Sequence, residues 1–294
     1  MDQQNQTKLF FKGHADHWQK KAIGDVYTII NDRHRAVHHT LSQYPKGASL
    51  LDVGCGTGQL AIEAAEKGFN AQGIDFAEEM ISIAQKNGLE NGSYASFEVG
   101  SIFEFKPTRK YDVISAMGFI EYISIEQLGN FLKFCYQNLA DGGAISVGSR
   151  NRLFNLTTFN EFTRMEDRLG AIDELIIESS IAFSANDKTE FLDKLRSNVG
   201  SSSLVQNEKH PITGSVKVET RFQFTPSDLL HKLEEVGFEV TNIYPINYHA
   251  FNPIIVDDEV TVLRKQISEM ISSNFQTDFR YLPNSSSFVM EAKK

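Results

Sequence analysis

Between residues 49 and 150, short β-rich apolar runs alternate with stretches whose apolar residues recur at helical spacing, the pattern of a parallel sheet covered by helices. The runs at 49–53, 70–75, 94–99, 112–117 and 144–149 predict five strands, with helices over 58–67, 77–87 and 125–139 between them. In the last helix Ile125, Leu128, Leu132, Cys135 and Leu139 share one face, which puts Cys135 in the core, and Gly142 with Gly143 supplies a stop. Ahead of the first strand, Val26, Ile30, Val37 and Leu41 mark one face of a helix over 24–43, predicting an N-terminal helical layer on the domain or its mouth.

After the fifth strand the alternation stops. Helices around 157–169 and 188–199, a Gly/Ser-rich loop at 200–203 and an extended stretch over 215–224 read as an insertion. Its aromatics, Phe154, Phe159, Phe162, Phe183 and Phe191 with Phe222 and Phe224, predict an ordered cap with a core of its own. The next helix is announced by Thr225 as cap, Pro226 at the first helical position and Asp228 at the positive end, and Gly237 closes it. A sixth strand follows at 238–244, a helix at 257–273 and a closing strand at 287–291. The expected organisation is an N-terminal helical arm at 1–45, an α/β domain formed by 46–150 and 225–294, and a substrate-binding cap at 151–224.

Composition narrows the chemistry. The 294 residues are 41% hydrophobic and 23% charged with only 7 prolines, as in an ordinary globular protein. No apolar stretch approaches the ~18 residues of a membrane span, and the first residues are polar, so a cytoplasmic protein without membrane partners is expected. Two cysteines, Cys55 and Cys135, allow no cysteine-built zinc site and read as free thiols. With 38 acids against 29 bases, a net charge of −9 speaks against a nucleic-acid partner and favours small substrates.

The most informative segment is Leu50-Leu51-Asp52-Val53-Gly54-Cys55-Gly56-Thr57-Gly58, an apolar strand entering three alternating glycines and then a helix. Glycines there permit positive φ and allow a ligand to approach the backbone where a Cβ would collide. Asp75 ends the second strand, beside the switch point of an open α/β sheet, where a carboxylate can accept both hydroxyls of a ribose; capping the following helix is its other reading.

This segment resembles motif I of the class I S-adenosylmethionine-dependent methyltransferases, with Ile74-Asp75 as the acidic motif and Tyr111-Asp112-Val113-Ile114 as the downstream strand. The resemblance runs from about Leu50 through Ser149 and more loosely through the helix and strand at 225–244. It implies a Rossmann-like, mostly parallel seven-stranded sheet with helices on both faces, its last strand antiparallel, and S-adenosyl-L-methionine as cofactor. By the same resemblance Gly54, Gly56 and Gly58 border the methionine and sugar, and Asp52 anchors the loop and the amino group. Asp75 holds the ribose, with Cys55 and Phe76 in the same cofactor-binding set. The family's adenine-binding acid is replaced here by Gly100-Ser101-Ile102, so Ser101 and the Ile102 amide take that contact, a neutral one. Met117, with Gly118, falls beside the reacting methyl group, with strand packing as its alternative.

Methyl transfer needs alignment and dryness more than many catalytic groups, though a base helps with a hydroxyl or protonated amine. Five of the eight histidines, His14, His17, His34, His38 and His39, lie in the first 39 residues, individually as surface groups; no partner at telling spacing makes His34 and His38 a metal site. His249, after the sixth strand, is the better-placed catalytic candidate, with Glu121 and Tyr122 after the fourth strand, whose alternative is an ordinary loop. Arg150 and Arg152, leaving the fifth strand, are candidate substrate ligands for a carboxylate or phosphate, or surface salt bridges.

The expected activity is transfer of a methyl group to a small-molecule oxygen or nitrogen nucleophile. A non-catalytic cofactor-binding regulatory module is the second reading. A nicotinamide-dependent oxidoreductase is the third, disfavoured because its fingerprint is G-x-G-x-x-G and the glycines here alternate strictly. Nucleic-acid base methylation lacks its Asn/Asp-Pro-Pro-aromatic segment, the fourth strand leading instead into Gly118-Phe119-Ile120-Glu121.

Overall fold

The computed structural model describes residue 7 and residues 27–198, 204–206, 221–253, 255 and 257–294. The chain runs α1 (Tyr27–Leu41), β1 (Ser49–Val53), α2 (Gln59–Glu66), β2 (Asn70–Asp75), α3 (Glu78–Glu90), β3 (Ser96–Val99), β4 (Tyr111–Ala116), α4 (Ile125–Asn138) and β5 (Leu139–Arg150). It continues through α5 (Asn155–Thr158), α6 (Glu161–Leu169), α7 (Ile172–Ser184), α8 (Lys188–Ser197), β6 (Leu204–Gln206) and β7 (Arg221–Gln223). The last part is α9 (Pro226–Glu234), β8 (Glu239–Tyr248), α10 (Asp258–Phe275) and β9 (Ser285–Lys293).

Seven strands form one sheet in the order β3-β2-β1-β4-β5-β9-β8, while β6 and β7 make a separate ribbon. All pairings among the first five strands are parallel, and β9 enters antiparallel between β5 and β8. From β1 the chain steps outward to β2 and β3, then crosses back to β4 on the other side. The crevice beyond the carboxyl ends of β1 and β4 is therefore the switch point, the place where such sheets bind ligands.

Most elements follow from local chemistry. Ser124 and Gln127 close a reciprocal capping box on α4, and Thr225 caps α9 with Pro226 in its first turn. The helix expected over 157–169 is broken: Phe159 takes φ 49° and Asn160 starts a new helix by accepting from the Phe162 amide. Gly142 and Gly143 do not stop α4, because the chain passes at Leu139 directly into β5, which contains both glycines. An additional helix, α7, has no counterpart in the apolar periodicity read above. The expected extended stretch over 215–224 falls largely outside the described residues, which resume with β7.

Among the described residues the insertion does not carry a core of its own. Phe191, Phe222 and Phe224 are buried in the same cluster as Leu51, Val53 and Ile114 of the sheet. Phe159 and Phe183 are exposed instead. Both cysteines are free and buried, Cys135 in that same cluster. Helix α1 is locked to the sheet by Glu291, whose carboxylate accepts from Thr40 (2.6 Å), Tyr244 (2.7 Å), Thr241 (3.0 Å) and Gln43 (3.1 Å). Burial alone would raise the Glu291 pKa, but these four donors outweigh it and hold it below its ordinary value. Among the described residues no helix is long and apolar enough to cross a membrane.

Candidate functional site

At the carboxyl ends of β1, β2, β4 and β5 lies a cavity of about 520 Å³, within the size range of small-molecule clefts. Its floor is the glycine loop. The amides of Gly54 (2.8 Å) and Cys55 (3.1 Å) donate to the Ile74 carbonyl, so the loop is stapled to β2 by its own backbone. The Gly56 amide donates to Asp75 Oδ2 at 3.1 Å, and the Ala77 amide to Asp75 Oδ1 at 2.9 Å. Asp75 thus holds the turn into α3, as the capping reading has it, and presents a half-buried carboxylate to the cavity.

The three glycines divide their work. Gly56, at φ 54°, lines the cavity and has nothing within 4 Å of where a Cβ would stand, so its backbone face is open. Gly54 gives room to Phe119, 3.3 Å from the equivalent point. Gly58 does not line the cavity, which corrects its assignment to the cofactor: a Cβ there would lie 2.7 Å from Phe97 and 2.8 Å from Ala84, so it is needed for packing α2 against α3 and β3. Asp52 is set by the register that pairs it with Ser115, whose hydroxyl donates to it at 2.7 Å. Burial raises the pKa of Asp52 and of Asp75 to about 6 in each case, against their hydrogen bonds. Cys55, Phe76, Ser101, Ile102 and Met117 all line the cavity too. Burial pushes the Cys55 thiol well up, so it is no nucleophile.

The opposite end is made of long side chains. Glu121, 1% exposed, receives Arg221 Nε at 2.9 Å and Arg150 Nε at 3.2 Å on Oε2, while Arg33 stands 3.7 Å from Oε1. Tyr122 lies beneath the Arg221 guanidinium, 5.2 Å from ring centre to charge. Glu121 is therefore the shared ion-pair partner of three arginines as well as a residue of the cavity lining. Arg152 is also corrected. It does not line the cavity but is buried with its side chain donating to Glu166 at 2.8 to 3.1 Å. The sequence reading missed Arg33 and Arg221, which come from α1 and β7 and carry no motif; only the fold brings them to Arg150.

His249 lines the cavity where β8 ends, after a bend at Asn247 in the left-handed region with φ 56°. Its Nε2 stands 3.0 Å from Asn247 Nδ2, its ring packs 4.7 Å from Phe154, and its buried Nδ1 has no hydrogen-bond partner. Burial, helped by the charge of Arg264, lowers its pKa to about 4. His34 and His38 turn instead to Glu63 of α2, at 3.0 and 2.9 Å, joining α1 to α2. His39 stacks edge-on against Tyr244; His14 and His17 lie outside the described residues. Among the described residues no group of three or more His, Cys, Asp or Glu is placed to hold a metal ion.

Residues 50–143 match the sequence model of the family described as Methyltransferase domain. Among curated proteins, the ubiquinone biosynthesis O-methyltransferase of Leptothrix cholodnii is 32% identical over 110 residues, covering 36% of this chain and 46% of the relative. That of Rickettsia canadensis is 32% identical over 104 residues, covering 35% and 43%. The chain thus spans less than half the length of these relatives. Among solved structures, magnesium protoporphyrin IX methyltransferase from Synechocystis PCC 6803 with bound SAH superposes with a TM-score of 0.58 at 13% identity, covering 100% of both chains. A SAM-dependent methyltransferase from Methanosarcina mazei gives 0.54 at 16% identity, covering 88% of this chain and 96% of that one. At such identities the likeness is one of fold.

Proposed function

We propose that this chain, whose residues 50–143 match the family model of a methyltransferase domain, is an S-adenosylmethionine-dependent class I methyltransferase that transfers a methyl group to an oxygen or nitrogen nucleophile of a small molecule. The observation that carries the reading is the pairing of Gly56 and Asp75: an open backbone face and a carboxylate with spare lone pairs, joined by one hydrogen bond at the floor of the cavity. Oxygen is favoured as the acceptor atom because the matched relatives are named O-methyltransferases.

In this reading Asp75 accepts the ribose hydroxyls and Asp52 faces the amino group. Cys55 and Gly56 border the sugar and methionine, while Phe76, Ser101 and Ile102 surround the adenine. Met117 stands beside the transferred methyl, which the bound cofactor supplies on a sulfonium that loses its charge as the methyl leaves. What the chain must add is alignment and exclusion of water. Residues 151–224 serve as the cap over the acceptor, with Phe154, Asn155, Thr158 and Phe162 lining the cavity wall. The N-terminal arm, represented by Thr7 and α1, and the segment after β8, represented by His249 and Pro253, complete the enclosure.

The test is calorimetric titration of the full chain with S-adenosylhomocysteine, then incubation of labelled S-adenosylmethionine with a panel of phenols, alcohols, carboxylic acids and amines. Cofactor-product binding and label transfer to one class are expected. Binding without transfer to any class leaves a regulatory module, and binding of a nicotinamide dinucleotide in its place overturns the assignment.

A further inference from the structure

The far end of the cavity holds more positive charge than its own carboxylate balances. Of the described residues lining the cavity, the acids are Asp52, Asp75 and Glu121, and the first two belong to the glycine-loop end. Around Glu121 stand three guanidiniums, those of Arg33, Arg150 and Arg221, so among the described residues the cluster carries two net positive charges. Nor are its hydrogen bonds complete. Arg33 Nε is buried with no hydrogen-bond partner among the described residues, and Arg150 meets Glu121 through its Nε while lining the cavity. Three cations sharing one carboxylate in a concave, largely apolar site leave an excess of positive charge that an anion would balance, and a planar guanidinium matches carboxylate and phosphate oxygens.

The surroundings fit that use. Gly118, at φ 67°, leaves the space into which Arg33 reaches, since a Cβ there would lie 3.0 Å from its Nη1. Ser287 accepts from Arg33 Nη2 at 3.2 Å and steadies the same guanidinium. Phe119, Tyr122, Phe154 and Phe162 give the cavity apolar walls on either side. Glu121 acts as the hub that lets three like charges share one corner without driving each other apart.

We propose that Arg33, Arg150 and Arg221, arranged around Glu121, recognise the carboxylate or phosphate group of an otherwise apolar methyl acceptor. That the anion belongs to an acceptor rests on the methyltransferase reading above; the anion site itself does not. The test titrates the full chain, with and without saturating S-adenosylhomocysteine, against benzoate, phenyl phosphate, benzamide and benzylamine. The anions should bind at least about tenfold more tightly than benzamide, and benzylamine should not bind measurably. The tighter of benzoate and phenyl phosphate names the anion. Arg150→Gln should weaken the anions at least about tenfold and leave benzamide unchanged, and Arg150→Lys should recover part of the loss, keeping the charge without the fork. If Arg150→Gln does not fold, the wild-type ratio of anion to amide decides alone. Equal affinity for benzoate and benzamide, no binding of either anion at millimolar concentration, or equal losses for anion and amide in Arg150→Gln overturns the proposal. Anion binding by a chain that does not bind S-adenosylhomocysteine upholds the anion site and removes the methyltransferase reading; the reverse result removes the anion site alone.

Discussion

The two ends of the cavity are built on opposite plans. The glycine loop and the carboxylate that meets it come from one short stretch, residues 50 to 77, and their contacts are backbone amides to a carbonyl and a carboxylate. The arginine end is assembled from residues 33, 121, 150 and 221, four separated stretches whose long side chains meet at one buried carboxylate. A ligand end made of backbone leaves its mark in local sequence, because only certain residues permit the turn. An end made of converging side chains leaves none, because any helix or strand can carry an arginine.

The sharpest way to test that contrast is within the arginine end itself, where Arg150 and Arg152 look alike in sequence. Arg152 is spent on Glu166, which is 0% exposed and also receives Asn155 at 2.7 Å. Arg152→Ala leaves that carboxylate buried and without its cation, and should lower stability by about 3–5 kcal/mol. Arg150 is 23% exposed beside the cavity, and Arg150→Ala should cost less than about 1 kcal/mol. Urea denaturation of the two variants measures both. Similar small losses would return Arg152 to the acceptor site and erase the distinction.

The same comparison can be broken at the loop end with Gly58. A methyl group there meets Phe97 and Ala84 at under 3 Å, on a residue at φ 85°, so Gly58→Ala combines overpacking with a left-handed backbone. The expected loss of stability is about 2–4 kcal/mol. Thermal unfolding with and without S-adenosylhomocysteine checks it, and a variant of normal stability that fails to bind would place Gly58 back at the cofactor.

Both results bear on what the sequence could convey. The strands β1 and β2 were legible residue by residue, since alternation of apolar runs with glycine punctuation is a local signal. The seven-stranded count and the antiparallel last strand followed from resemblance, not from periodicity. The break at Phe159 was hidden because the apolar face runs unbroken through it, and α7 because IDELIIESSIAFS mixes β-branched and polar residues without one clear face. The three alternating glycines look equivalent in sequence, and only the neighbours of each separate a ligand-facing position from a packing one. At the arginine end the sequence offered Arg150 and Arg152 by their closeness along the chain; the fold places the first at the cavity, turns the second to Glu166, and brings Arg33 and Arg221 to Glu121.

A smaller effect is expected from Asp75, which sits where the two jobs of holding the loop and facing the ligand meet. Asp75→Ala should weaken S-adenosylhomocysteine binding by about 1.5–3 kcal/mol, the scale of hydrogen bonds to a charged group. pH gives the same information without mutation. Burial holds Asp52 and Asp75 at about 6, and ligand hydroxyl and ammonium groups donate to the ionised forms. Affinity should therefore be full above about pH 6 and fall as pH drops below it, with Asp75→Asn flattening part of the decline. Calorimetry across that window that showed constant affinity would separate both carboxylates from the ligand.

The smallest effect belongs to His249, the one group that touches neither plan fully. Asn247 donates to its Nε2, so the ring proton sits on the buried Nδ1, and that atom offers a hydrogen bond rather than taking a proton. With its pKa lowered to about 4 by burial and by Arg264, the ring stays neutral from pH 5 to 8 and is a weak base throughout. We expect His249→Ala to slow turnover by about tenfold with cofactor affinity kept, short of the ~10²–10⁴-fold typical of lost acid–base catalysis. His249→Gln, which retains a donor, should recover part of it. Turnover should also show no inflection near 6.5 that the substitution removes. If such an inflection exists, or if His249→Ala costs a thousandfold or more, then the ring takes a proton in the reaction, the Asn247 amide presents its oxygen to Nε2 during turnover, and the far end of the cavity contains a base as well as a charge cluster.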